Sequence, residues 1–451
     1  MRKQVVRRGM VLVALAVALG MALSGCTWFG QKDAALGPMT VDPKVRLEVV
    51  VDGGLTDAAL AELEGLGKIL DVIEPLGVLI EVRASEVAGI SGLPYVKATG
   101  NPAERFAHVD DFLAGLGAWD MDLIDITQSP SARAVDETGE GILVAVLDTG
   151  LVFHWRDYFP EARIATEYAI AFAGGGNDRG NVSEPSNKWE HDTHSHGTHV
   201  TSTVIGFSLR GIPVTGAAPL ARVIPVKVLG NNGSGWSTVV ARGITYIGDL
   251  AAELGEPIVI NMSLGGPDLS PLEKGAIDYA ISQGVVVVAS AGNEGLDGMG
   301  YPGAYEPVIS VGSVGWDGLF LYGLFSDVPE PTPVADVYLS DFSSIALTGQ
   351  DLDVVAPGDW IAGPYMPFGA AHPRTPPQAS NLPGEYYYVS GTSMASPHVA
   401  GLAALMLEKD PTLTAAEIET ALEATALALP AYAPNEVGAG LVQALAALAA
   451  I

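Results

Sequence analysis

Half of the chain's eight histidines fall within nine positions. The stretch "HDTHSHGTHV", residues 191–200, carries His191, His194, His196 and His199, and two kinds of chemistry draw on rings so spaced. Imidazoles three apart can share a metal ion, although the acidic base that separates the histidines of an H-E-x-x-H metallopeptidase is missing here. Alternatively, one ring takes a proton from a nucleophile. Two other segments supply what that reading needs. Asp148 closes the apolar run "VAVLDTG", and Ser393 lies in "GTSMASPHVAG", where small residues lead into the helical stretch "LAALML". Singly, an aspartate at a strand end is a cap or an ion-pair member, and a serine ahead of a helix is an N-cap. Together, in the order Asp, His, Ser, they make a nucleophilic constellation. The hydroxyl needs a base, and the imidazole needs a carboxylate to fix its tautomer and stabilise its charged form. A helix N-terminus beneath Ser393 offers backbone N–H groups to a developing oxyanion.

Such groups converge only if a scaffold carries them to one edge. Past about residue 110 the runs "ILVAVLD" (142–148), "RVIPVKVL" (222–229), "IVINMSL" (258–264), "VVVVAS" (285–290) and "VISVGSV" (308–314) are near-continuously apolar. Runs of that kind belong to parallel strands buried on both faces. Helical patterns intervene at 237–254 and 270–284, the second opening with the capping-box sequence Ser270-Pro271-Leu272-Glu273. The expected fold is α/β: a doubly wound, mostly parallel sheet flanked by helices, with functional groups at the carboxyl ends of its strands. Residues 41–105 follow a different rhythm, β-α-β-β-α-β, which predicts a small α+β ferredoxin-like unit.

The blocks "VAVLDTG", "SHGTHV" and "GTSMASPHVAG" resemble the three signature blocks of the subtilisin-like serine proteases, the subtilase family. The likeness continues through "GAAPLARVIPVKVLGNNGSG", "IVINMSLGG", "VVVVASAGNEG", "YPGAYEPVISVGSV", "LDVVAPG" and "GAGLVQALAAL", from about residue 110 to the C-terminus. It implies a serine endopeptidase in which Asp148 orients, His196 is the base and Ser393 the nucleophile. Asn293, in "SAGNEG", matches the side-chain donor of the oxyanion hole, a group whose loss costs on the order of 100- to 1,000-fold in rate. Gly233-Ser234-Gly235 and Ser263-Leu264-Gly265 match the two edges that clamp an extended peptide as an added strand. Gly266 and Ala289 to Gly292, Ala291 among them, would line the first specificity pocket and favour a large apolar or aromatic side chain. Glu294 would stand at its mouth, either accepting a basic end group or only solvating a loop. His199 and His398 would be packed structural rings. His191, His194 and Asp192 remain open to opportunistic zinc.

The resemblance departs from the family in three places. The segment "GFSLRGIPVTGAAP" lacks the asparagine-rich loop that holds calcium in many relatives, leaving Asp157 as either one acidic ligand or a surface carboxylate. Extra sequence around "DVPEPTPVADVY", and the Pro-rich "GPYMPFGAAHPRTPPQASNLPGEYY" leading into Ser393, are insertions; the second is expected to narrow the cleft. The chemistry is expected to need no cofactor; structural calcium is compatible with the many carboxylates, at positions the sequence does not assign.

The resemblance also gives the N-terminal third a meaning. Relatives carry a propeptide of βαββαβ topology that templates folding and plugs the cleft; a permanent accessory domain is the other possibility. Ahead of it lies a basic start and the 14-residue apolar run Met10–Leu23, too short to span a bilayer comfortably but suited to a secretory signal. It ends in "LSGC", and Cys26 is the chain's only cysteine. That pattern resembles a bacterial lipobox, implying cleavage before Cys26 and lipidation of its thiol. The resulting organisation is a signal at 1–25, a tether at 26–40, a propeptide-like domain at 41–109 with self-cleavage expected within "ERFAHVDDFLAGLGAWD", and a peptidase domain at 110–451. Formal net charge is −29, and removing the first 25 residues leaves 19 basic against 52 acidic side chains, or −33. So acidic a body repels nucleic acid and anionic head groups. The expected partners are protein or peptide substrates, the chain's own propeptide, and an extracytoplasmic membrane face reached through Cys26. Two other classes fit parts of the pattern: a silent surface-anchored peptide-binding protein, and metal-dependent hydrolysis through the histidine cluster.

Overall fold

The computed structural model describes residues 42–100, 112–172, 186–209, 211–365 and 386–451. The leader, Cys26 and the tether lie outside those residues, as do 104–111 of the expected self-cleavage segment, which runs from 104 to 120. The chain divides into two compact units between Arg105 and Phe106, where the sequence reading set the division at 109–110.

The first unit runs β1 (Lys44–Val51), α1 (Asp57–Leu66), β2 (Lys68–Ile73), β3 (Gly77–Arg83), α2 (Val87–Ser91) and β4 (Val96–Gly100). Its sheet has the order β2-β3-β1-β4 with every pairing antiparallel, the ferredoxin-like arrangement. Strand β1 alternates, burying Leu47, Val49 and Val51 with Val45 packed beside them, while Lys44, Arg46, Glu48 and Val50 are exposed, as a sheet covered on one side must. Thr56 caps α1 by accepting the Ala59 N–H at 3.2 Å. A separate core of Leu47, Val49, Leu63, Val78, Ile80, Val82 and Ile90 holds the unit together.

The second unit is built on an eight-stranded sheet. Its elements are β5 (Leu143–Asp148), α3 (His196–Ile205), β6 (Arg222–Lys227), α4 (Ser237–Leu254), β7 (Ile258–Met262), α5 (Pro271–Ser282), β8 (Val286–Ser290), β9 (Ile309–Trp316), β10 (Val337–Leu339), β11 (Val354–Pro357), α6 (Thr392–Lys409) and α7 (Ala415–Thr425). The strand order is β10-β9-β8-β7-β5-β6, with the short strand Ile170–Ala171 beyond β6 and β11 also paired to β9. Every pairing is parallel except β9 with β10. The apolar runs are continuous because both faces are covered. Val144, Val146, Val223, Val259 and Val286 pack in one layer with α3 and α6, while Leu143, Ala145, Ile224, Ile258 and Val287 pack in the other with α4 and α5.

From β5 the chain first adds β6 on one side and then β7, β8 and β9 on the other. The strand order therefore reverses at β5, and ligand crevices form outside the carboxyl ends of strands at such a reversal. Two strands end sooner than their apolar runs. Val228 and Leu229 leave β6 and both donate their N–H groups to the Asp148 carbonyl, at 2.9 and 3.1 Å. Ser263 and Leu264 leave β7 in the same way. The residues that step off the sheet border the crevice. The first insertion supplies the antiparallel edge strand β10. The stem of the second is a hairpin of Ile361–Pro364 with Tyr386–Val389, and residues 366–385 lie outside the described residues.

Candidate active site

Asp148 is the last residue of β5 and is fully buried. A carboxylate there must be satisfied by nearby donors. The Thr149 N–H donates to Oδ1 at 2.6 Å, and His196 Nδ1 sits 2.9 Å from Oδ1 and 2.8 Å from Oδ2. His196 opens α3, whose N-cap Ser195 takes the left-handed conformation at φ 75°. Gly197 explains how a helix start comes this close to a strand end. A Cβ on it would lie 2.5 Å from the Gly150 carbonyl oxygen and 3.2 Å from the Asp148 Cβ, so only glycine permits the approach. Thr149 completes the join, its Oγ1 accepting the Gly197 N–H at 3.0 Å and donating to Asp192 at 2.7 Å.

Asp192, left open as a zinc ligand with His191 and His194, is fully buried and takes the N–H groups of His194 (2.9 Å) and Ser195 (2.7 Å) together with the Thr149 hydroxyl. These are the contacts of an Asx turn, and they shape the loop that presents His196. Lys227, across the sheet from Asp148, is buried with it. Its Nζ donates to the Thr149 carbonyl and to Asn231 (2.8 Å) and lies 3.8 Å from Asp192. Burial depresses the Lys227 pKa, and the Asp192 and Asp148 carboxylates oppose that shift. Among the described residues neither the His191–His194 pair nor Asp157, which is exposed on a one-turn 3₁₀ helix, belongs to a cluster of three ligand groups.

The His196 side chain is 18% exposed. Burial pulls its pKa down, but the Asp148 charge and hydrogen bond push harder, and the net shift is upward. His199, one turn on, is fully buried with Nε2 3.1 Å from the Ile361 carbonyl, and burial holds its pKa at about 4. His398 is likewise buried, between the Met394 carbonyl (2.9 Å) and Asp120 (3.1 Å). Both are packed rings, as the sequence predicts.

Ser393 is the second residue of α6, a helix buried on every side through Leu407 except at Ser393 itself. Its hydroxyl donates to the Ser263 carbonyl at 3.2 Å, and the Ser263 hydroxyl donates back to the Ser393 carbonyl at 2.7 Å. Asn261 supports the pair, donating to Ser263 Oγ at 3.0 Å and accepting from Ser396 at 2.7 Å. Asn293 lies beside the same helix start. Its Oδ1 accepts the Thr392 N–H (2.9 Å) and hydroxyl (3.1 Å), so its amide nitrogen is the end left to donate.

Ser393, His196 and His194 line one cavity of about 360 Å³. Gly233, Ser234 and Gly235 form one rim, and Ser263, Leu264, Gly265 and Gly266 the other. A Cβ on Gly266 would meet nothing within 4 Å, so the cleft is open at that point. The N–H and carbonyl of Gly235 and of Gly265 make no hydrogen bond among the described residues, leaving two strand-like edges for an extended guest. Leu229, Val240 and Tyr301 add apolar wall, and Asp268 and Glu273 add carboxylates.

Two pocket expectations change. Ala291 and Gly292 do not line this cavity. The Ala291 N–H is bonded to Val311 (2.9 Å) and the Gly292 N–H to Thr392 Oγ1 (3.2 Å), so they brace the turn that carries Asn293. Glu294 is not among the residues lining this cavity, and its carboxylate accepts a hydrogen bond from Ser344 at 3.2 Å. The sequence assigns no role to Thr149, Lys227, Asp268 and Tyr301, although the first two and Tyr301 lie within the blocks that carry the resemblance.

A helix-borne hydroxyl, an imidazole braced by a buried carboxylate, and an amide donor around one cleft are the components of acyl transfer. The family model of the subtilases matches residues 139–440. The chain is 34% identical over 325 residues to Subtilisin Savinase of Lederbergia lenta, covering 72% of this chain and 97% of the relative. It is 36% identical over 304 residues to Subtilisin NAT of Bacillus subtilis subsp. natto, covering 66% and 64% respectively. Among solved structures, S41 Psychrophilic Protease superposes with a TM-score of 0.56 at 28% identity, over 73% of this chain and 99% of that one. The chain therefore belongs to the subtilase family and is a serine-type endopeptidase acting on protein or peptide substrates.

Proposed function

We propose that Ser393, His196 and Asp148 carry the reaction and Asn293 assists it. Ser393 Oγ attacks the scissile carbonyl carbon while His196 Nε2 takes its proton, and Asp148 stabilises the imidazolium through Nδ1–H. The oxyanion accepts from the Asn293 amide and from the backbone N–H at the start of α6. Nε2 then protonates the leaving amine, and water activated by the same ring hydrolyses the acyl-enzyme. The observation that carries this reading is the His196–Asp148 pair at 2.8 Å facing the cavity that Ser393 lines. Leu229, Val240, Leu264 and Tyr301 favour a large apolar or aromatic residue in the cleft, with graded selectivity of about 1–3 kcal/mol per methylene. Any tolerance for a basic side chain falls to Asp268 and Glu273 rather than Glu294.

The N-terminal unit, with its own core, acts as a propeptide in this reading and makes the protein a zymogen. The apolar run before "LSGC" directs export, and Cys26 becomes the lipid anchor. Ser393→Ala tests the chemistry: peptidase activity on a peptide library should fall by at least about 1,000-fold, and the protein should accumulate at precursor size. Undiminished cleavage by the variant removes the mechanism.

A further inference from the structure

Lys227 is the one buried lysine or arginine among the described residues, and it is buried behind the His196–Asp148 pair. It stands opposite Asp148 in the register of β6 with β5. Thr149 binds all three charged groups of this cluster at once. Its N–H donates to Asp148 at 2.6 Å, its hydroxyl donates to Asp192 at 2.7 Å, and its carbonyl accepts from Lys227 Nζ. Nζ also donates to Asn231 Oδ1 at 2.8 Å and lies 3.8 Å from Asp192 Oδ1. Each of these partners is an acceptor, which suits the three protons of an ammonium and leaves no donor for the lone pair of a neutral amine. Two fully buried carboxylates thus face one ammonium, and a single negative charge remains to act on His196. Hydrogen bonding alone does not call for the lysine. Asp192 already takes the His194 and Ser195 N–H groups and the Thr149 hydroxyl, and the run "VIPVKVL" is otherwise apolar. What Lys227 adds is charge.

We propose that Lys227 is a positioning residue for the reaction, whose ammonium cancels the Asp192 charge and leaves Asp148 as the one carboxylate that His196 feels in full. Against two uncompensated carboxylates the ring would hold its proton to higher pH and be free to act as a base only there. The other titratable groups around the ring do not supply this compensation. Burial pushes His194, in the same loop, and His199, one turn on in α3, toward the neutral form. Tyr365, which follows the hairpin strand and packs against both rings, is held neutral by burial, its pKa pushed up to about 12. Lys188 acts on Lys227 itself, as a like charge.

The proposal rests on His196 being the base, so its test reads the ring's own titration apart from activity. The full chain carrying Ser393→Ala, to prevent self-digestion, is labelled at its histidine rings and titrated by nuclear magnetic resonance. The His196 signal is the one lost in His196→Gln. Lys227→Gln, which keeps a donor without the charge, should raise the His196 midpoint by roughly one pH unit. Asp192→Asn should lower it by a similar amount, and the two changes together should return it close to the parent. Opposite shifts that cancel are the mark of a charge pair; lost packing alone gives no such reversal of sign. A midpoint unmoved in both single variants, or moved the same way in both, overturns the proposal. Asp192→Asn retains the ammonium and guards against a folding defect in Lys227→Gln. With Ser393 intact, the acid limb of kcat/KM should follow the ring, so that Lys227→Gln loses about tenfold below the limb. A ring that moves while the limb stays leaves the charge balance standing and removes His196 as the base instead.

Discussion

At the scale of single residues, the role proposed for His196 as base makes the balance around its ring the enzyme's expected acid limit. Burial lowers this ring's pKa, but Asp148 raises it further, so the folded value stands above the usual 6.5. The base works only when neutral, so activity should be lost as pH falls through a value above 6.5. His199, held at about 4, stays neutral throughout and adds no second limb. In Asp148→Asn the larger opposing charge is gone and burial is countered only by the Asp192 carboxylate, so the limb should move to lower pH while the rate falls by about 10⁴. Profiles of kcat/KM between pH 5 and 9 for the two proteins decide it; an unmoved limb means that another group titrates. That Asp148, His196 and Ser393 would meet at one cleft was legible because each sits in a short block whose neighbours have fixed local jobs, such as Gly197 beside His196. Asp192 was not legible. Its role depends on Thr149, 43 positions earlier, and on Lys227, which only the parallel sheet brings alongside.

At the scale of elements, the sheet was readable from its two-sided apolar runs, but the strand ends were not. Val228, Leu229, Ser263 and Leu264 continue the pattern in composition while leaving the sheet in space, because backbone N–H groups and an apolar cleft wall need them there. The N-terminus of α5 shows a similar conflict. Ser270 caps it by accepting the Glu273 N–H at 3.1 Å, and a carboxylate in a first turn normally gains from the helix dipole. Glu273, however, is 4% exposed, and burial drives its pKa up to about 7. The folded value lies above the unfolded one, so the fold binds the extra proton and loses stability as pH rises from about 4.5 to about 7. Glu273→Gln keeps the shape without the charge. It should match the wild type near pH 4 and exceed it at pH 8 by about 1–3 kcal/mol in denaturant unfolding. A variant no more stable than its parent at pH 8 would show that the buried carboxylate is compensated.

At the scale of the whole molecule, charge constrains how the protein can be held at a membrane. A single acyl chain binds a bilayer only marginally, and stable attachment takes a second signal, often a basic patch. Without its first 25 residues this chain carries −33, so its body repels anionic lipid instead of supplying that patch. No helix among the described residues is long and apolar enough to cross a membrane. The anchoring proposed above would therefore fall either to acyl chains on Cys26 or to the uncleaved run Met10–Leu23, and the two separate cleanly. Cys26→Ser should abolish labelling by a radioactive or clickable fatty acid and release the protein into the soluble fraction at low and high salt alike, since no electrostatic attraction remains to be screened. Peptidase activity should persist, because the proposed triad and the described lining of the cleft do not include residue 26. A variant that stays sedimentable though unlabelled identifies the apolar run as the anchor; one that is released only by high salt points to a basic contact that the charge count argues against.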